Sequence, residues 1–248
     1  MKTMLRRVLP VVLGAAGFLL RLLQRETAFE ADTGLSLPAA PASRAMAVYL
    51  AAAGALLLFQ AVREKREKKL DLAAGFLVPT QGMLSILVCA GMLMAAGGAL
   101  LAWDGVQRGD VVSAALGGFA AVAAVCLLLA MSRWRREERC GGLLTMPALL
   151  CVVWLLVTYR QYADYPVLEE LYIQILAIAA FTYGFYQTAA YDFALGSRRP
   201  TRFVLPAAVV LGMTALADDL SLGLICLYVG CTVVLYAFSL LERPSRPD

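Results

Sequence analysis

The chain has 248 residues, of which 61% are hydrophobic and only 16% are charged, and its formal net charge is +4. Soluble domains are about 45–50% apolar and about 25% charged, and a soluble core of this length would leave too much apolar surface in water. The composition therefore excludes an ordinary soluble domain and predicts an integral membrane protein.

The residue types that are missing exclude several kinds of chemistry. The sequence contains no histidine, which rules out Ser-His-Asp triads, histidine acid–base catalysis and His-ligated zinc or haem. Its six cysteines show no Cys-x-x-Cys spacing, so we expect no disulfide framework and no metal site. No complete catalytic motif and no nucleic-acid-binding surface is visible. The sequence favours a non-enzymatic protein without a cofactor.

Apolar segments of membrane-spanning length recur along the chain. A spanning helix needs about 20 mostly apolar residues, or about 17 at the short end, and eight segments meet or approach this length. We therefore expect an all-α polytopic bundle with eight transmembrane helices, forming one integral membrane domain over residues 1–248. Fusing the last two segments, which only Asp218-Asp219 separates, gives seven helices as the alternative. The eight segments are Val8–Leu23, Arg44–Val62, Gly82–Trp103, Val111–Met131, Leu143–Tyr159, Leu168–Tyr191, Phe203–Ala217 and Leu220–Leu241.

The positive charges predict the orientation of these segments. With eight spans, 17 of the 22 Lys and Arg residues fall on one side of the membrane, and such an excess marks the cytoplasmic side. Both termini are then expected in the cytoplasm of a cell-membrane protein. Arg21 lies inside the first span, so we expect its side chain to extend outward or to pair with an acid. Arg21 and Arg25 also favour retention of this span over cleavage as a signal peptide.

Short matches at a constant offset suggest an internal duplication. Phe59-Gln60 resembles Tyr186-Gln187, and Phe76–Pro79 resembles Phe203–Pro206, both 127 residues apart. Halves 1–131 and 140–241 would each hold four spans, and an even number of spans makes the two halves parallel. The sequence thus favours, without requiring, a four-plus-four repeat.

The sixth span carries the polar residues that attract most interest. At about 100° per residue, six residues fall on one side of the helix: Glu169, Tyr172, Tyr183, Tyr186, Gln187 and Tyr191. Buried phenol and amide groups need hydrogen-bond partners, so we expect this side to face protein or a wet cavity open to the outside. The alternative is interfacial tyrosines together with ordinary interhelical hydrogen bonds.

A second polar cluster is predicted at the outer ends of the last four spans. Tyr159, Arg160, Glu169 and Glu170 flank one connection, and Asp218 and Asp219 form another. Carboxylates without histidine suit a hard cation such as Ca²⁺, or a cationic ligand held by tyrosine rings. The alternative is structural, because acidic residues near a helix start stabilise the helix.

The stretches Arg160–Pro166 and Ala194–Pro200, together with the general layout, give the chain a loose family likeness. It resembles uncharacterised multi-pass membrane proteins of Gram-positive bacteria, and the resemblance implies no activity for any residue. Two function hypotheses follow from the residues. The first is a small transporter-like or ligand-binding protein with an outward-facing polar site. The second is a non-catalytic component that assembles through its Ala- and Gly-rich helices, as a homo-oligomer or with a membrane partner. The lipid bilayer is a partner in both.

Overall fold

A computed structural model describes residues 2–28, 40–63, 67–136, 138–140, 142–162 and 168–243. The predicted all-α class is confirmed, since only two very short strands accompany the helices in this part of the chain. The long helices are α1 (Lys2–Ala28), α2 (Pro41–Val62), α4 (Gln81–Arg108), α5 (Val111–Arg135), α6 (Thr145–Tyr162), α7 (Leu168–Asp192), α8 (Arg198–Ala215) and α9 (Leu222–Leu241); the short elements are α3 (Leu72–Gly75), β1 (Lys68–Leu70) and β2 (Gly196–Ser197).

Five of the long helices are long and apolar enough to cross a membrane, by length and composition, within the described residues: α1, α2, α4, α5 and α9. Of the others, α6 is slightly short, α7 carries several polar residues, and α8 begins with Arg198, Arg199 and Arg202. The helices α8 and α9 are separate, with residues 216–221 between them. The architecture is therefore a helical bundle with the composition of a membrane protein.

Local signals in the sequence set several helix ends. Gly109 adopts a left-handed conformation at φ +69° and ends α4, as a residue without a Cβ readily does. Asp110 then starts α5 by accepting hydrogen bonds from the backbone N–H groups of Val112 (3.0 Å) and Ser113 (3.3 Å). Ser221 caps α9 in the same way through Leu224 N (3.4 Å). Such caps satisfy N–H groups that the helix itself leaves unpaired.

The connections between helices gather at two opposite ends of the bundle. One end holds the α4–α5 and α8–α9 turns and the C-terminal parts of α1 and α6. The other end holds the start of α8, where β1 pairs with β2 in antiparallel fashion. It also holds residues 138–140 and 142–144, of which Cys140 and Gly142 are hydrogen-bonded to Asp192 at the end of α7. We call these the outer end and the inner end, because the inner end carries the positive residues that predict the cytoplasmic side.

Close packing of small residues joins α4, α5 and α9 in the middle of the bundle. A Cβ added to Gly98 would lie 2.7 Å from the carbonyl oxygen of Gly117, and one added to Gly97 would lie 2.7 Å from that of Gly223. These glycines let the helix backbones approach more closely than larger residues would allow.

The proposed duplication receives no support from its longest match. Phe76–Pro79 lies outside the helices, just before α4, whereas Phe203–Pro206 lies within α8. Phe76 is fully buried against Tyr191, with ring centroids 4.8 Å apart, and Phe238, at 5.6 Å. The two stretches thus differ in conformation despite their similar sequences.

Candidate functional site

The polar residues of the sixth predicted span, now α7, do not share one environment. Gln187 is buried, whereas the side chains of Tyr183 and Tyr186 are 42% and 58% exposed at the surface of the bundle. Their rings stack with centroids 6.2 Å apart, beside an apolar groove of about 470 Å³ between α6 and α7. The structure therefore does not bring these side chains into one polar cavity, because α7 places the two tyrosines at the surface of the bundle and Gln187 toward the protein.

The residues predicted at the outer end are also divided. Tyr159, Arg160 and Asp219 are exposed, whereas Asp218 is buried. The side chains of Glu169 and Glu170 lie outside the described residues. At the α4–α5 turn, hydrogen bonds from Ser113 lower the pKa of Asp110. The positive charge of Arg160 lowers this pKa further. Two of the predicted residues, Asp218 and Tyr172, instead lie together in a polar cluster around Arg21.

Arg21 and Asp218 form the centre of that cluster. The Arg21 side chain has no exposed surface, and its Nε lies 2.6 Å from Asp218 Oδ1. Its Nη1 donates to Gln24 Oε1 at 3.0 Å, and its guanidinium carbon lies 5.6 Å from the centre of the Tyr172 ring. The expectation that Arg21 pairs with an acid is confirmed. We use the name outer polar cluster for Arg21, Gln24, Tyr172, Gln174 and Asp218.

Two neighbouring contacts extend the outer polar cluster. Arg25 donates from Nη1 to the carbonyl oxygen of Ala217 at 2.8 Å, and Gln24 Nε2 lies 3.2 Å from Ser43 Oγ at the start of α2. The cluster thus connects α1 to α2 and to the α8–α9 turn. Sequence analysis missed Gln24 and Gln174, although the position of Gln24 one helical turn after Arg21 was a usable signal.

Burial governs the chemistry of Asp218. Removal from water raises the pKa of this carboxyl above its usual range, and this effect outweighs the opposing influence of Arg21, the Gln174 side chain and Arg25. Its second oxygen, Oδ2, is buried and forms no hydrogen bond with the described part of the chain. A buried carboxylate oxygen without a donor is unfavourable, so this position can accept a proton or a cationic donor.

A second polar feature, absent from the sequence predictions, lies at the inner end. A cleft of about 640 Å³ opens between α3, the ends of α5 and α7, and Arg243, which lies two residues after the end of α9. Its lining combines charged and aromatic side chains, among them Asp71, Trp134, Glu138, Arg139, Tyr191, Asp192 and Arg243. We call it the inner cleft. Only the fold reveals it, because its lining residues lie far apart in the sequence.

Comparisons with known proteins add no second line of information. A scan of protein-family models found no match, and neither did searches of curated proteins and solved structures. Among the described residues, no group of three or more Cys, Asp and Glu side chains could hold a metal ion. The fold itself defines the class, which is a helical bundle with several helices apolar enough for a membrane.

Proposed function

We propose that this protein is an eight-span membrane protein of the cell membrane with cytoplasmic termini, and that it is a transporter-like protein that binds a small cationic ligand at the outer polar cluster. The eight-span topology is supported by the eight long helices of the described residues, whose bounds follow the eight apolar segments. It is further supported by the gathering of connections at two ends and by the excess of positive residues at one of them.

The observation that carries the ligand proposal is the buried Arg21–Asp218 pair. Ionised side chains are costly within or at the edge of a membrane, and where they occur they commonly mark a binding or translocation site. A buried ion pair is also weak evidence for stability, because desolvation of both charges opposes their attraction. The pair is therefore better explained by a role in ligand binding than by a role in folding.

The chemistry of the cluster favours a cation as the ligand. Asp218 offers Oδ2 as an acceptor, the Gln24 and Gln174 side chains offer amide oxygens, and Tyr172 offers an aromatic ring. Amine and guanidinium groups bind to such a set through charge-assisted hydrogen bonds and cation–π contacts. The Arg21 guanidinium is already bound to Asp218, so an incoming cationic ligand would compete with it for this carboxylate.

Ligand-dependent stabilisation of the purified full-length protein tests this proposal. Agmatine, putrescine and choline serve as probes, and a cation that binds should raise the melting temperature in detergent. A probe at one hundred times its Kd adds about 2.7 kcal/mol of stability, which corresponds to a rise of about 5–10 °C in a protein of this size. Asp218→Asn should abolish the rise, whereas Asp219→Asn, the exposed acid next to it, should retain it.

Two outcomes would contradict the ligand proposal. One is a wild-type protein that none of the cationic probes stabilises. The other is equal behaviour of the Asp218→Asn and Asp219→Asn variants, once gel filtration and circular dichroism show that both are folded.

Assembly is the second candidate function, and the surface of α2 supports it. This helix packs against α1 and α8, while Ala47, Ala51 and Ala55 are exposed along one face. Small residues at this spacing let a second helix approach closely. A homo-oligomer in mild detergent should be lost in Ala51→Phe and retained in Leu56→Phe, which changes an exposed residue on another face of α2. A wild-type protein that is strictly monomeric and has no partner would contradict assembly.

A further inference from the structure

We propose that the inner cleft binds a zwitterionic phosphate-plus-amine group, supplied by the headgroup of phosphatidylethanolamine in the surrounding membrane. The inference requires that the helices cross a membrane, but it does not depend on a ligand at the outer polar cluster. The two features lie at opposite ends of the bundle.

The floor of the inner cleft is rigid and aromatic. Trp134 and Tyr191 line it and are almost fully buried. Trp134 stacks on Phe238 with ring centroids 5.6 Å apart and an interplanar angle of 8°, and Phe76 packs edge-on against both Trp134 and Tyr191. Such packing fixes the shape of the cleft before any ligand arrives. Its volume of about 640 Å³ lies within the range of about 300–1,000 Å³ that is usual for small-molecule sites.

Backbone contacts hold two acids of the cleft in place. Asp192 accepts hydrogen bonds from the backbone N–H groups of Cys140 (3.0 Å) and Gly142 (2.9 Å). Asp71 caps α3 by accepting from Ala74 N at 2.7 Å. Carboxylate oxygens can accept more than one hydrogen bond, so both groups can also receive an ammonium N–H. Glu138 adds a third carboxylate at the exposed rim.

Two guanidinium groups provide the opposite charge. Arg243 is positioned by a hydrogen bond from its Nε to the carbonyl oxygen of Phe76 (3.2 Å), and Arg139 is exposed at the rim. Arginine recognises phosphate through paired N–H donors. Because the lining contains more carboxylates than guanidinium groups, a purely anionic ligand is disfavoured. A group that carries a phosphate and an ammonium matches both kinds of charge.

Exposed apolar side chains at the mouth favour a lipid as the source of this group. Val78 and Phe193 line the cleft and are 42% and 56% exposed. Leu77 and Leu195, which lie close to them in sequence, are also exposed. The cleft lies beside the inner ends of the predicted spans Val111–Met131 and Leu168–Tyr191, and the ends of apolar spans lie near the headgroups of the membrane. Acyl chains could then cover these apolar side chains while the headgroup occupies the cleft.

Native mass spectrometry of the delipidated full-length protein tests the inference. Phosphatidylethanolamine should be retained about tenfold more strongly than phosphatidylcholine, whose methylated amine cannot donate hydrogen bonds, and also more strongly than phosphatidylglycerol. Arg139→Gln should weaken phosphatidylethanolamine binding about tenfold, as expected for the loss of one charge-assisted hydrogen bond. Arg136→Gln is the matched control, since Arg136 is an exposed arginine of the same connection that lines a different pocket. It should bind like the wild type.

Several results would overturn the inference. They are equal retention of the three lipids, equal binding by the Arg139→Gln and Arg136→Gln variants, or competition by soluble O-phosphoethanolamine at the same concentration as the lipid, which would assign the cleft to a soluble ligand. Glu138→Gln provides a further readout, because it should reduce the preference for phosphatidylethanolamine over phosphatidylcholine without affecting phosphatidylcholine binding. Asp218→Asn should leave lipid binding unchanged, which separates this test from that of the proposed function.

Discussion

Replacement of Arg21 by methionine tests whether the attraction between Arg21 and Asp218 or the cost of burying their charges dominates in the outer polar cluster. Methionine keeps much of the apolar stem of arginine but removes the cation that lies 2.6 Å from Asp218. The Asp218 carboxylate then remains buried without its partner. Removal of one member of a buried ion pair typically costs about 3–5 kcal/mol, and we expect a loss of this size for Arg21→Met near neutral pH.

The opposite replacement, Asp218→Asn, should cost less than Arg21→Met. Burial raises the pKa of Asp218 above the usual value of 3.8 even though Arg21 is present, so the folded protein favours the neutral side chain more than the unfolded chain does. For a carboxyl with a raised folded pKa, the contribution to stability is present below the unfolded value and is lost as the pH rises through the folded value. Asparagine is permanently neutral and still offers an oxygen to Arg21 Nε. The variant still leaves the buried Arg21 guanidinium without the negative charge of Asp218, so we expect a loss smaller than the about 3–5 kcal/mol of Arg21→Met but larger than the about 1 kcal/mol of a neutral hydrogen bond.

Apparent melting temperatures in detergent at pH 5 and pH 8 measure this asymmetry. At about 2–4 °C per kcal/mol, Arg21→Met should lower the melting temperature by about 6–20 °C at pH 8. The difference in melting temperature between Arg21→Met and the wild type should be smaller at pH 5, because Asp218 without its cation binds a proton more readily. Asp219→Asn is the control and should match the wild type. If Asp218→Asn proves as damaging as Arg21→Met at pH 8, attraction within the pair exceeds the cost of burial and our reasoning is refuted.

Three further predictions concern packing, cysteine reactivity and topology. Gly117→Ala should destabilise the protein by about 1–3 kcal/mol, because its Cβ would collide with the backbone of Ala102 and Gly98, whereas Gly118→Ala, with open space around it, should be neutral in the same thermal assay. Cys140 should resist alkylation in the folded protein at pH 8 and react once the protein is unfolded, because burial and, to a smaller extent, Asp192 raise the pKa of its thiol to about 12. Peptide mass spectrometry measures the modification, with Cys140→Ser as the control. Rapid alkylation of Cys140 in the folded protein would contradict this prediction. Reporter fusions within residues 133–139 and 164–170 should report opposite sides of the membrane, and the same side for both would contradict the eight-span topology.

The helices were predictable because apolar length is a direct physical signal. Each of the eight predicted segments lies within or closely matches one long helix, with differences at the ends. The third segment was expected to end at Trp103, yet α4 continues to Arg108. Hydropathy detects where lipid surrounds the chain, but the backbone stays helical until Gly109 provides a conformation that ends it. The residue at which a helix ends and the residue at which its apolar segment ends are therefore different.

The candidate sites were harder to predict, because they depend on how helices are rotated and paired. Asp218 and Asp219 are adjacent and chemically identical in the sequence, and only the approach of α1 selects Asp218 for burial beside Arg21. Tyr183 lies on a helix whose other sides are also largely apolar, so periodicity could not distinguish the side that faces protein from the side that faces lipid. The inner cleft depends on long-range packing alone and had no local signal.

The attachment of α1 to the rest of the bundle connects the outer polar cluster to a conformational response. At the inner end, Tyr236 donates a hydrogen bond to the carbonyl oxygen of Arg7 (3.0 Å). In the middle, Gly14 and Gly17 pack closely against side chains of α8, and at the outer end Arg21 binds Asp218. Of these three attachments, only the last involves a charge that a proton or a competing cation can change. Neutralisation or capture of Asp218 would weaken the attachment of the outer half of α1, which Arg25 also holds through the carbonyl oxygen of Ala217, while the other two attachments would remain. The α1 helix, together with α2, which packs against it, is therefore the part of the bundle that should move when the outer polar cluster is occupied.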